Sequence, residues 1–212
     1  EAVLAEMPSD RPRVFLAVCS TNTQKHWPAG RWAELVERLV RDRGCEVVFC
    51  GGPADVALHR EIVAALDASV AAHVHDHSAS VPLRQVTAFL SRMDLCVGID
   101  SGLPHVAASL GLPVAVLFGP TDPNQWHPRG ERAVVVRAER VLPIRGPQPG
   151  EPPRWPFGTA SLADITVADV LLACDRLLPV QPAPVPLRTI DLRSGGHVHA
   201  GWPGRLAARV PV

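Results

Sequence analysis

Arg13-Val14-Phe15-Leu16-Ala17-Val18-Cys19 runs through Ser20-Thr21-Asn22-Thr23-Gln24-Lys25-His26-Trp27-Pro28 into the segment Arg31–Arg41, and this succession decides the fold class. The first seven residues form an apolar run, as in a strand buried on both faces. Over Arg31–Arg41 the apolar residues Trp32, Leu35, Val36, Leu39 and Val40 share one helical stripe, and Gly44 ends it. Strand, polar loop and helix make the repeating unit of a parallel sheet. Working outward, the unit recurs. Glu46–Cys50 reads as a strand and turns through Gly51-Gly52-Pro53 into a helix over Ala54–Leu66. A short strand near Ala71–Val74 precedes a helix over Leu83–Met93. Asp94–Ile99 is a strand, Gly102–Leu110 a helix and Pro113–Phe118 a strand again. Ala133–Arg137 fits a last strand. Thr166–Leu178 fits an amphipathic helix, with polar residues at its start from Ser161 to Asp164. The expected fold class is α/β, a Rossmann-like doubly wound parallel sheet. Residues 1–10 read as a linker, 11–180 as one domain, 142–158 as a Pro- and Gly-rich loop, and 181–212 as a Pro-rich tail unable to form a core alone.

Composition narrows the function. The 212 residues carry equal numbers of acidic and basic side chains, interspersed, so no basic face points to nucleic acid or an anionic membrane as the main partner. No apolar run approaches the roughly 20 residues of a membrane helix, and no signal peptide opens the sequence. The first residue is Glu1 rather than methionine, so a fragment or processed product is expected. The five cysteines are odd in number, include no CxxC pair and mostly sit in apolar runs, as reduced, small hydrophobes of a cytoplasmic protein do. Cys19 borders the Lys25 loop and reads as a strand-end cysteine, with a reactive thiol as the alternative.

Four loops concentrate the polar chemistry. Lys25 is the only lysine against twenty arginines. Where a planar fork is used almost everywhere, one compact ammonium on a flexible stem, in a loop between strand and helix, suits a diphosphate. An ordinary surface lysine is the alternative. In Gly98-Ile99-Asp100-Ser101-Gly102-Leu103-Pro104-His105 a strand ends at Ile99, Gly102 permits close backbone approach, and Pro104 is tolerated in the first helical turn. The free N–H groups of that turn favour an anion, and His105 lies four residues after Ser101. The plainer reading makes Ser101 an N-cap and His105 a partly buried histidine. A hydrolase triad of Asp100, Ser101 and His105 is set aside, because the serine lacks a Gly-x-Ser-x-Gly elbow and the three are too close in sequence. Gly119-Pro120-Thr121-Asp122-Pro123 follows another strand, where Thr121 and Asp122 line the same crevice or form a tight polar turn. Asp55, after Gly51-Gly52-Pro53-Ala54, is placed to accept from a ribose or to favour a helix start.

Taken together, Thr21 with Lys25-His26-Trp27-Pro28, Trp32, Gly51 to Asp55, Asp100-Ser101-Gly102 with His105, Phe118 to Pro123, and Ser161 to Val170 resemble glycosyltransferase family 9, the heptosyltransferase-like enzymes. The resemblance covers roughly residues 12–178. It implies the C-terminal half of a two-domain, GT-B-type enzyme, with two facing Rossmann-like domains and the nucleotide-sugar donor held by this half. Carried over by position, Lys25 and Asp100 are the implied catalytic residues. Ser20, Thr21 and Lys25 would meet the donor diphosphate, Asp55 the ribose, Val81 the base, and Asp100 the sugar hydroxyls. Ser101, Gly102 and His105 would complete the site, with Thr121 nearby. The implied reaction transfers a heptose-like sugar from an ADP-linked donor to an acceptor hydroxyl, with inversion and without a metal or other cofactor. The setting implied is lipopolysaccharide biosynthesis in the cytoplasm, with a glycan or small-molecule acceptor.

The sequence departs from that pattern. An N-terminal acceptor domain, which in the family supplies the candidate base, has no counterpart here, so the chain alone is expected to bind donor and transfer little. An apolar flank for that missing half is expected around Trp155 and Trp202. Glu131 to Phe157 matches nothing in the family. Competing readings are a non-catalytic nucleotide-sugar-binding subunit paired with a separate acceptor domain, and a nucleotide-sugar epimerase with His105 as its acid/base group. His73-Val74-His75-Asp76-His77 and His197-Val198-His199 alternate as zinc ligands do. For the first of these a polar loop is the preferred reading.

Overall fold

The structure, a computed structural model, describes residues 10–137 and 161–178. The linker before Asp10, the 142–158 loop, the 181–212 tail, Trp155, Trp202, His197 and His199 lie outside the described residues. Chain order is β1 (Arg13–Ala17), α1 (Ala29–Arg43), β2 (Glu46–Phe49), α2 (Val56–Ala64), α3 (Ala68–Ala71), β3 (Val74–Asp76), α4 (Leu83–Leu90), β4 (Leu95–Ile99), α5 (Gly102–Ser109), β5 (Val114–Phe118), α6 (Pro123–Trp126), β6 (Ala133–Arg137) and α7 (Val167–Leu177). The six strands form one parallel sheet in the order β3-β2-β1-β4-β5-β6. β1 therefore pairs with both β2 and β4, Val14 lying opposite Val47 on one side and Leu95 on the other. The chain reverses its direction of travel across the sheet at that point. Crevices at the carboxyl ends of strands beside such a reversal are where ligands of this architecture bind.

Apart from Arg13 and Glu46 at their starts, the central strands are apolar because both their faces are covered. Val14, Leu16, Val47, Phe49, Val97 and Leu117 pack beneath α1 and α7 through Trp32, Leu35, Leu39, Val170 and Cys174. Phe15, Val48, Cys96, Val116 and Phe118 face the other way, toward Val86, Phe89 and Leu90 of α4 and Ala107 and Ala108 of α5. The alternation is the two-residue period of a strand, hidden in sequence because both phases are hydrophobic.

Two local devices set the geometry that matters later. Gly98 sits inside β4, and a Cβ there would lie 2.7 Å from Ala17 Cβ and 2.9 Å from Pro104 Cγ. Only glycine lets β1, β4 and the first turn of α5 approach so closely. Trp27 is buried edge-on against Trp32 at 4.8 Å between ring centroids, and its indole N–H donates to the Ile165 carbonyl at 3.0 Å. The loop after β1 is thereby fastened to the segment leading into α7.

The third strand moves from its expected place. Ala68–Ala71 forms a helical turn after Asp67, as an alanine-rich tetrapeptide favours, and β3 is displaced to Val74–Asp76. Residues 73–77 therefore straddle an edge strand and are not the polar loop expected there. The last helix begins one residue later than expected. Thr166 and Asp169 form a reciprocal capping box, while Leu162–Asp164 makes a separate 3-10 turn. Among the described residues no helix is long and apolar enough to cross a membrane.

Candidate functional site

A cavity of about 870 Å³ opens at the carboxyl ends of β1, β2 and β4, between α4 and α5. Ser20, Thr21, Lys25, Asp55, Asp100, Ser101 and Gly102 all line it, and Ala17, Cys19, Cys50, Val86, Leu103 and Val106 supply an apolar wall. A cavity of about 600 Å³, lined among others by Asp94, Leu110, Arg132 and Arg176, contains none of the residues singled out from sequence.

The loop after β1 is shaped from within. Asn22 Oδ1 accepts from Gln24 N–H at 3.0 Å and caps the 3-10 turn Thr23–Lys25. Ser20 Oγ accepts from Asn22 N–H at 3.2 Å, and His26 Nε2 donates to the Ser20 carbonyl at 2.8 Å. Lys25, His26 and Trp27 thus point three ways: to the cavity, back to the loop and into the core. The role of His26 was missed from sequence, where only its neighbourhood to Lys25 was visible.

Lys25 ends this turn with its ammonium on Asp100, 2.7 Å from Oδ2 and 3.3 Å from the carbonyl oxygen. Asp100 is 6% exposed. Its Oδ2 also accepts from Thr121 Oγ1 at 2.7 Å, while His105 Nε2 stands 3.9 Å from Oδ1 at an exposed position. The lone ammonium and the mouth of α5, 75 positions apart in sequence, meet in one pocket. Ser101 occupies the N-cap of α5 with extended backbone, but its side chain makes no capping bond. Its hydroxyl is therefore not spent on the helix, and the first-turn N–H groups have no side-chain cap.

Four expected residues are placed differently from the others, and one of them, His105, stands near Asp100 without lining the cavity. Thr121 is 7% exposed and stands behind Asp100 instead of lining the cavity. Asp122 caps α6, accepting from Asn124 N–H at 2.9 Å, so the polar-turn alternative describes it. Val81 is half-buried and packs against the cluster containing Phe15, Val48 and Phe89, beside the cavity's lining. Asp55 precedes α2 without a side-chain bond to the helix and folds back to accept from Gly52 N–H at 2.8 Å. A Cβ on Gly51 would fall 2.8 Å from Asp55 Cβ, next to the backbone and unable to swing away, so that turn requires glycine.

Behind Asp55 lies a polar chain that sequence reading missed altogether. His59, one helical turn after Asp55, is 1% exposed. Its Nδ1 donates to Ser78 Oγ and lies 3.4 Å from Asp76 Oδ1. Ser78 gives its own hydroxyl proton to Asp76, which leaves His59 Nε2 as an acceptor 3.7 Å from Cys19 Sγ. Burial lowers the His59 pKa below its ordinary value despite the neighbouring carboxylates. Burial also raises Asp76, but bonds from Ser78 and His59 outweigh it and hold its carboxyl below the usual range. The Cys19 thiol is pushed up to about 12, by burial first and then by Asp55. At neutral pH it is a thiol, so the reactive-cysteine alternative loses its chemical basis. An i, i+4 pair such as Asp55 and His59 was the available signal, though nothing in sequence says that such a histidine is buried.

The alternating histidines are also placed. His73 Nδ1 and His75 Nε2 donate to the two oxygens of Glu46 at 2.9 and 2.8 Å, and Arg11 Nη1 lies 3.1 Å from Oε1. His77 packs its ring 5.2 Å from that of Phe89. Among the described residues no group of three or more His, Cys, Asp or Glu is arranged to hold a metal ion.

Residues 1–145 match the family model for glycosyltransferase family 9 (heptosyltransferase), a span that takes in the first part of the stretch from Glu131 expected to match nothing in the family. The chain is 33% identical over 132 residues to lipopolysaccharide heptosyltransferase 2 of Escherichia coli strain K12, covering 62% of this chain and 38% of that protein. It is 34% identical over 124 residues to lipopolysaccharide heptosyltransferase 1 of Pseudomonas aeruginosa, covering 57% and 32%. The solved structure of E. coli ADP-heptose LPS heptosyltransferase II superposes with a TM-score of 0.67 at 29% identity, over 82% of this chain and 48% of that one. The family 9 glycosyltransferase structure from Veillonella parvula gives the same TM-score at 23% identity, a likeness of fold. The chain spans less than half the length of these relatives. On the family match, which spans more than half of its length, this chain belongs to glycosyltransferase family 9.

Proposed function

We propose that this chain is the donor-binding half of a glycosyltransferase that moves a heptose-type sugar from an ADP-linked donor to an acceptor hydroxyl with inversion, in lipopolysaccharide assembly. One observation carries the reading: the lone ammonium, 2.7 Å from Asp100, lies beside the uncapped first turn of α5 in a cavity at the reversal point of the sheet. A diphosphate leaving group gathers negative charge as the glycosidic bond breaks. Lys25 and the first-turn N–H groups of α5 are donors held ready for that charge, and they stabilise the transition state more than the ground state. Ser20 and Thr21 bind the same phosphates. Asp55 has one carboxylate oxygen on Gly52 N–H and offers the other to a ribose. The wall of Cys50, Val86, Leu103 and Val106, with Val81 beside it, receives the base. Asp100 Oδ1, with Ser101 and His105, faces the sugar.

In this reading the charge is met by side chain and backbone donors without a metal ion, and a base from a second, N-terminal half activates the acceptor hydroxyl. The chain alone then binds donor and transfers little. Calorimetry with ADP and ADP-heptose tests it. Saturable heat for both, unchanged by a chelator, is expected. No heat at millimolar ligand overturns it. Heat with ADP-heptose that turns into turnover without any acceptor points instead to epimerase chemistry.

A further inference from the structure

We propose that Thr121 is a positioning residue: its hydroxyl holds the Asp100 carboxylate in place while Lys25 turns its ammonium to an incoming diphosphate. The inference rests on the donor-site reading above and assigns Thr121 a role different from touching the donor.

Asp100 Oδ2 accepts two bonds of the same length, 2.7 Å from Lys25 Nζ and 2.7 Å from Thr121 Oγ1. The two donors differ in mobility. Lys25 carries its charge at the end of a flexible four-carbon stem, on the last residue of a 3-10 turn. Thr121 is β-branched and buried, held between the end of β5 and the Asp122 cap of α6. A ligand can draw the ammonium away, but it cannot move the hydroxyl.

That asymmetry matters because the pocket must hold two anions at once. A carboxylate left bare and nearly buried beside a diphosphate would pay both desolvation and like-charge repulsion. Its answer would be to keep the ammonium for itself. Thr121 leaves one donor on Oδ2 whatever Lys25 does, and so lowers the cost of sharing the lysine. Thr121 does not line the cavity, so it acts through Asp100 and not on the ligand.

A double-mutant cycle on the 212-residue chain tests this, with ADP affinity measured by calorimetry for wild type, Thr121→Val, Asp100→Asn and the double variant. Thr121→Val is expected to weaken ADP binding about tenfold, the scale of one hydrogen bond to a charged group. In the Asp100→Asn background the same change should cost less than about twofold, because a neutral amide does not compete for the ammonium. Thr121→Ser should restore affinity to within about threefold. Since Lys25 is the only lysine, a lysine-labelled sample yields one side-chain resonance. Its ADP-induced shift should need about tenfold more ADP in Thr121→Val, in step with the calorimetry. Circular dichroism melts accompany each variant, and Thr121→Ala runs in parallel so that one misfolded protein does not decide the outcome. Equal losses in both backgrounds, or no loss in Thr121→Val and Thr121→Ala, overturn the inference while leaving the donor reading intact. A wild-type chain that binds no ADP overturns the donor reading, and this inference with it, before any variant is made.

Discussion

Two carboxylates are buried at opposite ends of one sheet, Glu46 at the amino end of β2 and Asp100 just past the carboxyl end of β4. They are 1% and 6% exposed, and each has cationic or imidazole neighbours. What separates them is unused bonding capacity. Both Glu46 oxygens are engaged, by Arg11, His73 and His75, and Glu46 lines neither cavity. On Asp100 one oxygen carries both close partners. Among the described residues the other has only His105, at 3.9 Å, and an 870 Å³ cavity lies in front. Burial with a charge partner is therefore no mark of a ligand site by itself. The mark is a buried charge with an open valence, a movable counter-ion and room beside it.

The largest effect expected from this contrast falls on Lys25. Lys25→Met should weaken ADP binding by about a hundredfold, the upper range for losing a charge-assisted contact, and lower stability because the nearly buried Asp100 carboxylate loses its ammonium partner. Calorimetry and a denaturant melt read the two separately, and unchanged ADP affinity would break the comparison at its functional end. Glu46→Gln should do the reverse. It leaves Arg11 without its buried counter-charge and should cost about 2–3 kcal/mol of stability with ADP affinity unchanged within about twofold. A clear loss of ADP binding would show that the two ends of the sheet are not independent.

A smaller effect is expected from His59, which lies between the two in character: buried and fully engaged, yet touching the cavity wall through Cys19. Its folded pKa lies below the ordinary value of 6.5, so the unfolded chain takes up the proton first as pH falls. Stability should accordingly be full above that value. It should fall by up to about 1.4 kcal/mol per pH unit as pH drops from 6.5 toward the lowered folded value. Melting temperatures of wild type and His59→Asn between pH 7 and pH 5 check this, the variant being expected to lack that part of the slope. The smallest effect belongs to an exposed ion pair, Arg38 with Asp42 one helical turn on. Arg38→Gln should change stability by less than about 0.5 kcal/mol. A larger loss there would mean that burial is not what gives the other carboxylates their weight.

Much of this molecule was legible before its coordinates. Strands such as Arg13–Ala17 and Val114–Phe118 are apolar on both phases and regularly spaced by helical stripes, a pattern that only a covered parallel sheet explains. Lys25 stood out because its side chain is unique in the composition, and Asp100 to Gly102 because a strand end and a helix start bracket them. Other features had no local signal. The strand expected near Ala71–Val74 starts only at Val74, behind a helical turn at Ala68–Ala71, because short apolar runs fit helix or strand equally well. Thr121 looked like one more lining residue, since sequence places it at a strand's carboxyl end but not in front of or behind Asp100. Glu46 carries no local signal beyond its place at the start of a strand, and only the register of β3 on β2 brings His73 and His75 to it.

What the sequence determined alone was periodicity and inventory: the alternation that makes a doubly covered sheet, the single lysine, the loops that carry polar chemistry, and a likeness to one family. These are properties of neighbours along the chain, and side-chain period and residue type record them directly. The tertiary structure alone decided which of those groups share a space and which valences are left over. Lys25 and Asp100 meet because β1 pairs with β4 at the reversal of strand order, and because Gly98 has no Cβ to hold α5 away. Contacts across 75 residues depend on packing distances of a few ångströms, which no local pattern encodes.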